Sequence, residues 1–157
     1  MWLRGADTHD EGVAPNPRGR INEEDVMSEP FIFIGTHRVH EGRLEEFQEY
    51  FSDFCDTVVR PSEPRLLSFH GYVDEPAREV SVVQVHPDAE SMLHHMSVIT
   101  EHVARAYADF LEPRSRFQVY GVAQGRVLEM VRQMGRADAD AVIVRQPFAG
   151  FERLPHV

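Results

Sequence analysis

The chain has 157 residues and a formal net charge of −10 at pH 7, with 42% hydrophobic and 27% charged residues. That length suits one domain with a sizeable core, and the balance is that of an ordinary globular protein. The acidic charge gives a nucleic-acid role no electrostatic support, no run of about 18 apolar residues offers a membrane span, and the single cysteine, Cys55, forms no internal disulfide and fits a reducing cytoplasm.

Residues 1–27 hold Gly5, Gly12, Gly19, Pro15 and Pro17 among many charges, with almost no periodic apolar residues. Such a stretch cannot bury enough surface to offset its ordering entropy, so a disordered tail is expected. Met27-Ser28-Glu29-Pro30 leads straight into the first strand, which makes Met27 an alternative start of translation. Phe31 to Val39, rich in aromatic and β-branched residues, reads as that strand. After a turn at His40-Glu41-Gly42, Arg43 to Val59 reads as a helix with Leu44, Phe47, Phe51, Phe54, Cys55 and Val58 on one face. Pro61 and Pro64 are expected to exclude further helix.

Leu66 to Val73 reads as the second strand, Asp74 to Arg78 as a turn of hairpin length and Glu79 to His86 as the third strand. Pro87 breaks it, and Asp88 is a suitable N-cap, with acidic Glu90 near the positive end of the next helix. That helix, Asp88 to Leu111, carries a seam of Met92, Met96, Ile99, Val103, Ala106 and Phe110 at spacings of three and four, until Pro113 ends it. Arg116 to Gly121 is the fourth strand.

The order β-α-β-β-α-β implies an α+β, ferredoxin-like split-βαβ sandwich over residues 28–121: one antiparallel sheet with two helices on one face. The other face of the sheet would be partly apolar and exposed, which predicts a partner subunit against it. Residues 122–157 form a C-terminal extension, with a short helix at Arg126 to Met134, a fifth strand at Ala141 to Val144 and a closing loop at Pro147 to Phe151, packing on the domain or on its dimer partner.

Three stretches of this unit resemble the antibiotic biosynthesis monooxygenase-like branch of the dimeric α+β barrel superfamily. They are the strand-turn-helix entry Val39-His-Glu-Gly-Arg-Leu-Glu-Glu-Phe47, the strand Leu66 to Tyr72, and Val83-Gln-Val-His-Pro-Asp-Ala-Glu-Ser-Met-Leu-His-His-Met96. In the last, His95-Met96 falls where relatives place a histidine-leucine pair. The resemblance implies a homodimer whose two sheets close a barrel. It also implies a family of cofactor-independent monooxygenases of quinols and polyketide phenols, haem-degrading enzymes and proteins of unknown role. The chain departs from the pattern in having His86 where relatives often carry tryptophan.

Strand alternation sorts the polar candidates into faces. Leu67, Phe69 and Gly71 suit the helix side of the second strand, leaving Ser68, His70 and Tyr72 on the barrel side. Val83 and Val85 suit the helix side of the third, leaving Val82, Gln84 and His86 on the barrel side. The first strand is ambiguous, with either Phe33, Gly35 and His37 or Ile34, Thr36 and Arg38 facing the barrel. A barrel cavity holding His70, Tyr72, Gln84 and His86, with His37, would accept a small phenol, and a histidine of near-neutral pKa would take its proton. The expected catalytic residues are therefore His70, Tyr72 and His86. The expected substrate-binding residues are His37, Ser68 and Gln84, with His95 added by the resemblance.

No metal site is expected, because His95 and His102 lie two helical turns apart, roughly 10 Å, too far to share one ion, and no zinc-spaced cluster exists. Haem-degrading relatives place an axial histidine late in this helix, near Arg105 here. The reading that results is a cytoplasmic, cofactor-independent monooxygenase of a small aromatic or quinol, working as a homodimer. Its alternatives are a ligand-binding or structural dimer of the same fold and, third, a haem-binding relative.

Overall fold

The computed structural model describes residues 30–122, 125–134 and 142–151, so the expected tail over residues 1–27 lies outside the described residues. The elements run β1 (Phe31–Val39), α1 (Leu44–Phe54), β2 (Ser68–Asp74), β3 (Glu79–His86), α2 (Ala89–Asp109), β4 (Leu111–Tyr120), α3 (Gly125–Met134) and β5 (Val142–Arg145). The strands form one mixed sheet in the order β2-β3-β1-β4-β5, antiparallel except for β5, which runs parallel to β4. This is the α+β, ferredoxin-like architecture expected, with helices packed on one face; the sheet is open, and one chain alone closes no barrel.

The core lies between that face and the helices. Phe31, Phe33, Phe117 and Val119 of the sheet pack with Met92 of α2 and with Val127 and Val131 of α3. Val39, Phe47, Val80, Ala106, Phe110 and Leu111 form a second cluster, and Phe54, Val59 and Ile99 a third. Val142 and Val144 of β5 pack against the first cluster, so the C-terminal helix and strand cover their own domain. Asp88 caps α2, its Oδ1 accepting the Ser91 N–H at 2.9 Å.

Several boundaries differ from expectation. The first helix does not stop before Pro61: α1 continues through a π-turn, Cys55–Val59, and a last α turn, Arg60–Ser62. In a straight α-helix the Pro61 ring would meet the carbonyl of Thr57. The wider register, in which Arg60 N–H bonds Cys55 O, brings the chain into the last turn with that proline included. The second helix ends at Asp109, and Pro113 lies inside β4 rather than after a helix. The β1–β4 register shifts between His37 and Val39, a bulge that accommodates a residue without an N–H. The second strand starts at Ser68 rather than Leu66.

Candidate functional site

Register decides which side chains meet. Phe33, Gly35 and His37 of β1 pair with Gln84, Val82 and Val80 of β3, and Gln84 and Val82 pair with Phe69 and Gly71 of β2. Paired residues share a face, so all of these look toward the helices, which resolves the ambiguity of the first strand. The assignment of the second strand holds. That of the third is inverted: Gln84 and His86 lie on the helix side, with Val83 and Val85 on the open side. Apolarity misled here because both faces of β3 carry valines, and the buried polar residues satisfy one another by hydrogen bonds.

The expected constellation is therefore divided. Ser68, His70 and Tyr72 stand on the open face, His70 and Tyr72 both exposed with ring centroids 6.2 Å apart. His37, Gln84, His86 and His95 stand on the helix side. A hollow of about 350 Å³ beside the edge strand β2, lined by His70, Tyr72 and Cys55, is separate from the cavity in the interior. Burial and the carboxylate of Asp56 push the Cys55 thiol up to about 11, so it is a poor nucleophile at neutral pH.

The interior cavity, about 90 Å³, lies between the sheet and helices α1 and α2. Aromatic rings dominate its wall: Phe33 and Phe117 from the sheet, Phe47, Phe51 and Phe54 from α1, and Phe69 from β2. Its polar lining comprises His37, Gln84, Tyr50, His102 and Tyr107. Tyr50 donates its hydroxyl hydrogen to the His102 carbonyl at 2.9 Å, which leaves it committed.

His37 is held from one side. Its Nδ1 lies 2.8 Å from Ser115 Oγ and 3.2 Å from Tyr107 Oη, and those two oxygens are 2.7 Å apart. Its Nε2 lies over Gly35, where a Cβ would come within 2.8 Å of it. Glycine at that position leaves the space in which Nε2 sits at the cavity floor. With the hydrogen on Nδ1, donated to Ser115 Oγ, Nε2 presents a lone pair to the cavity. Burial lowers His37 to about 4, so the ring is neutral at physiological pH. Burial also raises the Tyr107 hydroxyl, an effect its bond with Ser115 partly offsets.

Behind the cavity lies a second polar group. His86 is fully buried, its Nδ1 3.1 Å from Ser91 Oγ and its Nε2 3.1 Å from Gln84 Oε1, so both ring nitrogens are engaged. Burial, then the nearby His95, lowers it to about 3. His95 Nδ1 donates to both oxygens of the Glu63 carboxylate, at 2.8 and 2.7 Å, and His95 Nε2 has no partner among the described residues. Glu63, 5% exposed, reaches His95 from just beyond α1. Among the described residues, no group of three His, Cys, Asp or Glu side chains is placed to hold a metal ion, and no helix is long and apolar enough to cross a membrane.

Of the residues expected from the sequence, His37, Gln84, His86 and His95 lie on the helix side, where Tyr107, Ser115 and Glu63, not expected from the sequence, join them. Tyr107 follows Val103 by four residues on the helix seam, a signal that was available. Ser115 meets His37 only through strand register, and Glu63 carries no local signal.

No protein-family model and no curated protein matches the chain. Solved structures do. The crystal structure of MupZ from Pseudomonas fluorescens is similar at 19% identity with a TM-score of 0.62, over 81% of this chain and 91% of that one. A structure described as a putative antibiotic biosynthesis monooxygenase from Caulobacter crescentus is similar at 15% identity with a TM-score of 0.54, over 63% of this chain and 93% of that one. Protein SO0527 from Shewanella oneidensis matches at 14% identity and 0.52, over 59% and 90%. In fold, the chain is thus similar to these structures, among them one described as a putative antibiotic biosynthesis monooxygenase, the family that its sequence resembles.

Proposed function

We propose that the interior cavity binds a small phenol or quinol and that the protein oxygenates it without a cofactor, as a cytoplasmic homodimer. The observation that carries this is His37 Nε2, a neutral nitrogen facing an aromatic-walled cavity from over Gly35. The phenol hydroxyl donates to Nε2 while the flanking phenylalanines sandwich its ring. A phenol with a free ortho position and one O2 give the ortho-quinone and one water. One oxygen atom enters the ring and the other leaves as water, so the substrate supplies all four electrons. His37 shifts electron density onto the phenol oxygen as the ring is oxidised, with Ser115 and Tyr107 holding the imidazole. A cavity of about 90 Å³ is smaller than the roughly 150 Å³ that holds benzene, so one ring enters as Met96 or a phenylalanine shifts. Of the expected catalytic set, His86 has no free ring nitrogen, and His70 and Tyr72 face a second sheet across the proposed dimer.

The test is oxygen consumption with a panel of single-ring phenols, without added metal or flavin, in the wild type and in His37→Phe. Consumption that falls at least tenfold in the variant, with ligand binding weakened, supports the reading; equal rates would sink it. A second reading, binding without turnover, is favoured by the low basicity of His37, which makes full proton transfer from a phenol costly. Phenol binding with no oxygen consumption would select it.

A further inference from the structure

Gln84 is the other polar side chain that the sheet raises into the cavity beside His37. Its carboxamide oxygen is already taken, 3.1 Å from His86 Nε2. That oxygen can only accept, so the His86 ring hydrogen sits on Nε2 and is donated to it, which leaves Nδ1 to accept from the Ser91 hydroxyl. Ser91 is placed by the cap of α2, where Asp88 accepts its backbone N–H. The His86 ring also stacks on Phe31 with centroids 5.3 Å apart and is fully buried, so it has no room to turn. With the oxygen committed, the orientation of the amide is set, and the Gln84 NH2 has no hydrogen-bond partner among the described residues.

His37 Nε2 stands over Gly35, two residues along β1 from Phe33, the residue paired with Gln84. At about 3.4 Å per residue and about 4.8 Å between strands, the acceptor and the donor rise from sheet positions roughly 8 Å apart. That span suits the two ends of one substituted ring.

Building on the phenol reading, we propose that Gln84 is the specificity residue of the cavity. Its side-chain N–H donates to an unprotonated oxygen, such as a ring carbonyl or an aldehyde, at the end of the ligand away from His37. His86 is the positioning residue that keeps the N–H aimed there. The ligand class is accordingly a single ring with a hydroxyl at one end and a carbonyl-type acceptor at the other, rather than a simple alkylphenol. A buried donor left without its acceptor penalises the ligand that lacks the oxygen.

The experiment compares 4-hydroxybenzaldehyde with 4-methylphenol by calorimetric titration of the full chain, in the wild type and in Gln84→Leu. The aldehyde is the more acidic phenol and bonds His37 more strongly in both proteins, so the readout is the change in preference between them. The wild-type preference should fall about tenfold or more in Gln84→Leu, with 4-methylphenol still bound. An unchanged preference overturns the assignment of Gln84 and leaves the phenol reading standing; no binding of either ligand overturns both. A second measurement needs no variant. The infrared carbonyl stretch of wild-type-bound aldehyde should shift to lower frequency than in an apolar solvent, and an unshifted band overturns the proposal. In His86→Phe that band should broaden and move back toward the free position, which loss of packing alone would not produce.

Discussion

A single hydrogen atom in place of a methyl group keeps the cavity open at Gly35. Its backbone is ordinary strand, so the constraint is space: a Cβ there would lie 2.8 Å from His37 Nε2 and 3.5 Å from the Phe117 ring. Gly35→Ala is expected to push the imidazole off its position while leaving the fold nearly intact, because the clash is with the far end of a side chain. Phenol affinity should drop about tenfold, a loss of one hydrogen bond, with stability changed by about 1 kcal/mol or less. Titration calorimetry alongside thermal unfolding separates the two effects; unaltered affinity would show that Nε2 does not meet the ligand. At this scale the sequence was partly legible. His37 stood out as a polar residue in an aromatic strand, but which way it faced was open, because Ile34 and Phe33 make both parities apolar.

Glu63 and His95 join the end of the first helical run to α2 through a pair whose side chains are 2% and 0% exposed. Removing one partner leaves a buried polar or charged group uncompensated, which costs about 3–5 kcal/mol. Glu63→Ala should therefore lower the unfolding free energy by roughly that amount, read from the midpoint of a urea transition. Glu63→Gln, which keeps one acceptor for the His95 N–H, should cost clearly less. A change below about 0.5 kcal/mol for the alanine variant would mean the pair is neutral in the fold. The elements themselves were well legible where local signals were strong. β1 and β3 have the expected ends, and Asp88 caps α2 as its position before an apolar periodic run suggested. The helix end past Pro61 was not, since a proline rule framed for α-helices does not anticipate a π-turn.

Two expectations belong to the molecule as a whole. In the folded protein His37 and His86 are lowered from 6.5 to about 4 and about 3. Between those values and 6.5 the unfolded chain binds more protons, so stability rises with pH through that window. It is complete above about 6.5 and falls as the pH drops toward 4 and then 3. Urea unfolding of the wild type and His37→Gln from pH 7.5 down to 4 isolates the histidine from the shared carboxylates. The wild type should lose stability faster than the variant, and parallel profiles would contradict the burial of a neutral ring. The second expectation concerns the open face of the sheet, where Ile32, Tyr72 and Tyr120 are 38%, 58% and 40% exposed around half-buried Ile34, Val83 and Val85. If a second copy covers it, Val83→Asp should convert a dimer into a monomer of 18.0 kDa in light scattering. A wild-type monomer at tens of micromolar would remove the dimer from the proposed function.

The sequence by itself determined the order of strands and helices, and through that order the ferredoxin-like fold, because hydrophobic period, turn residues and caps act within a few positions of one another. The tertiary structure decided the site. His37 meets Ser115 across 78 positions and Tyr107 across 70, and Glu63 meets His95 across 32. Contacts at those separations depend on strand register and helix packing. In a sheet with apolar residues on both faces, only the pairing of β3 with its neighbours selects which polar side chains are turned inward and sealed there by their own hydrogen bonds.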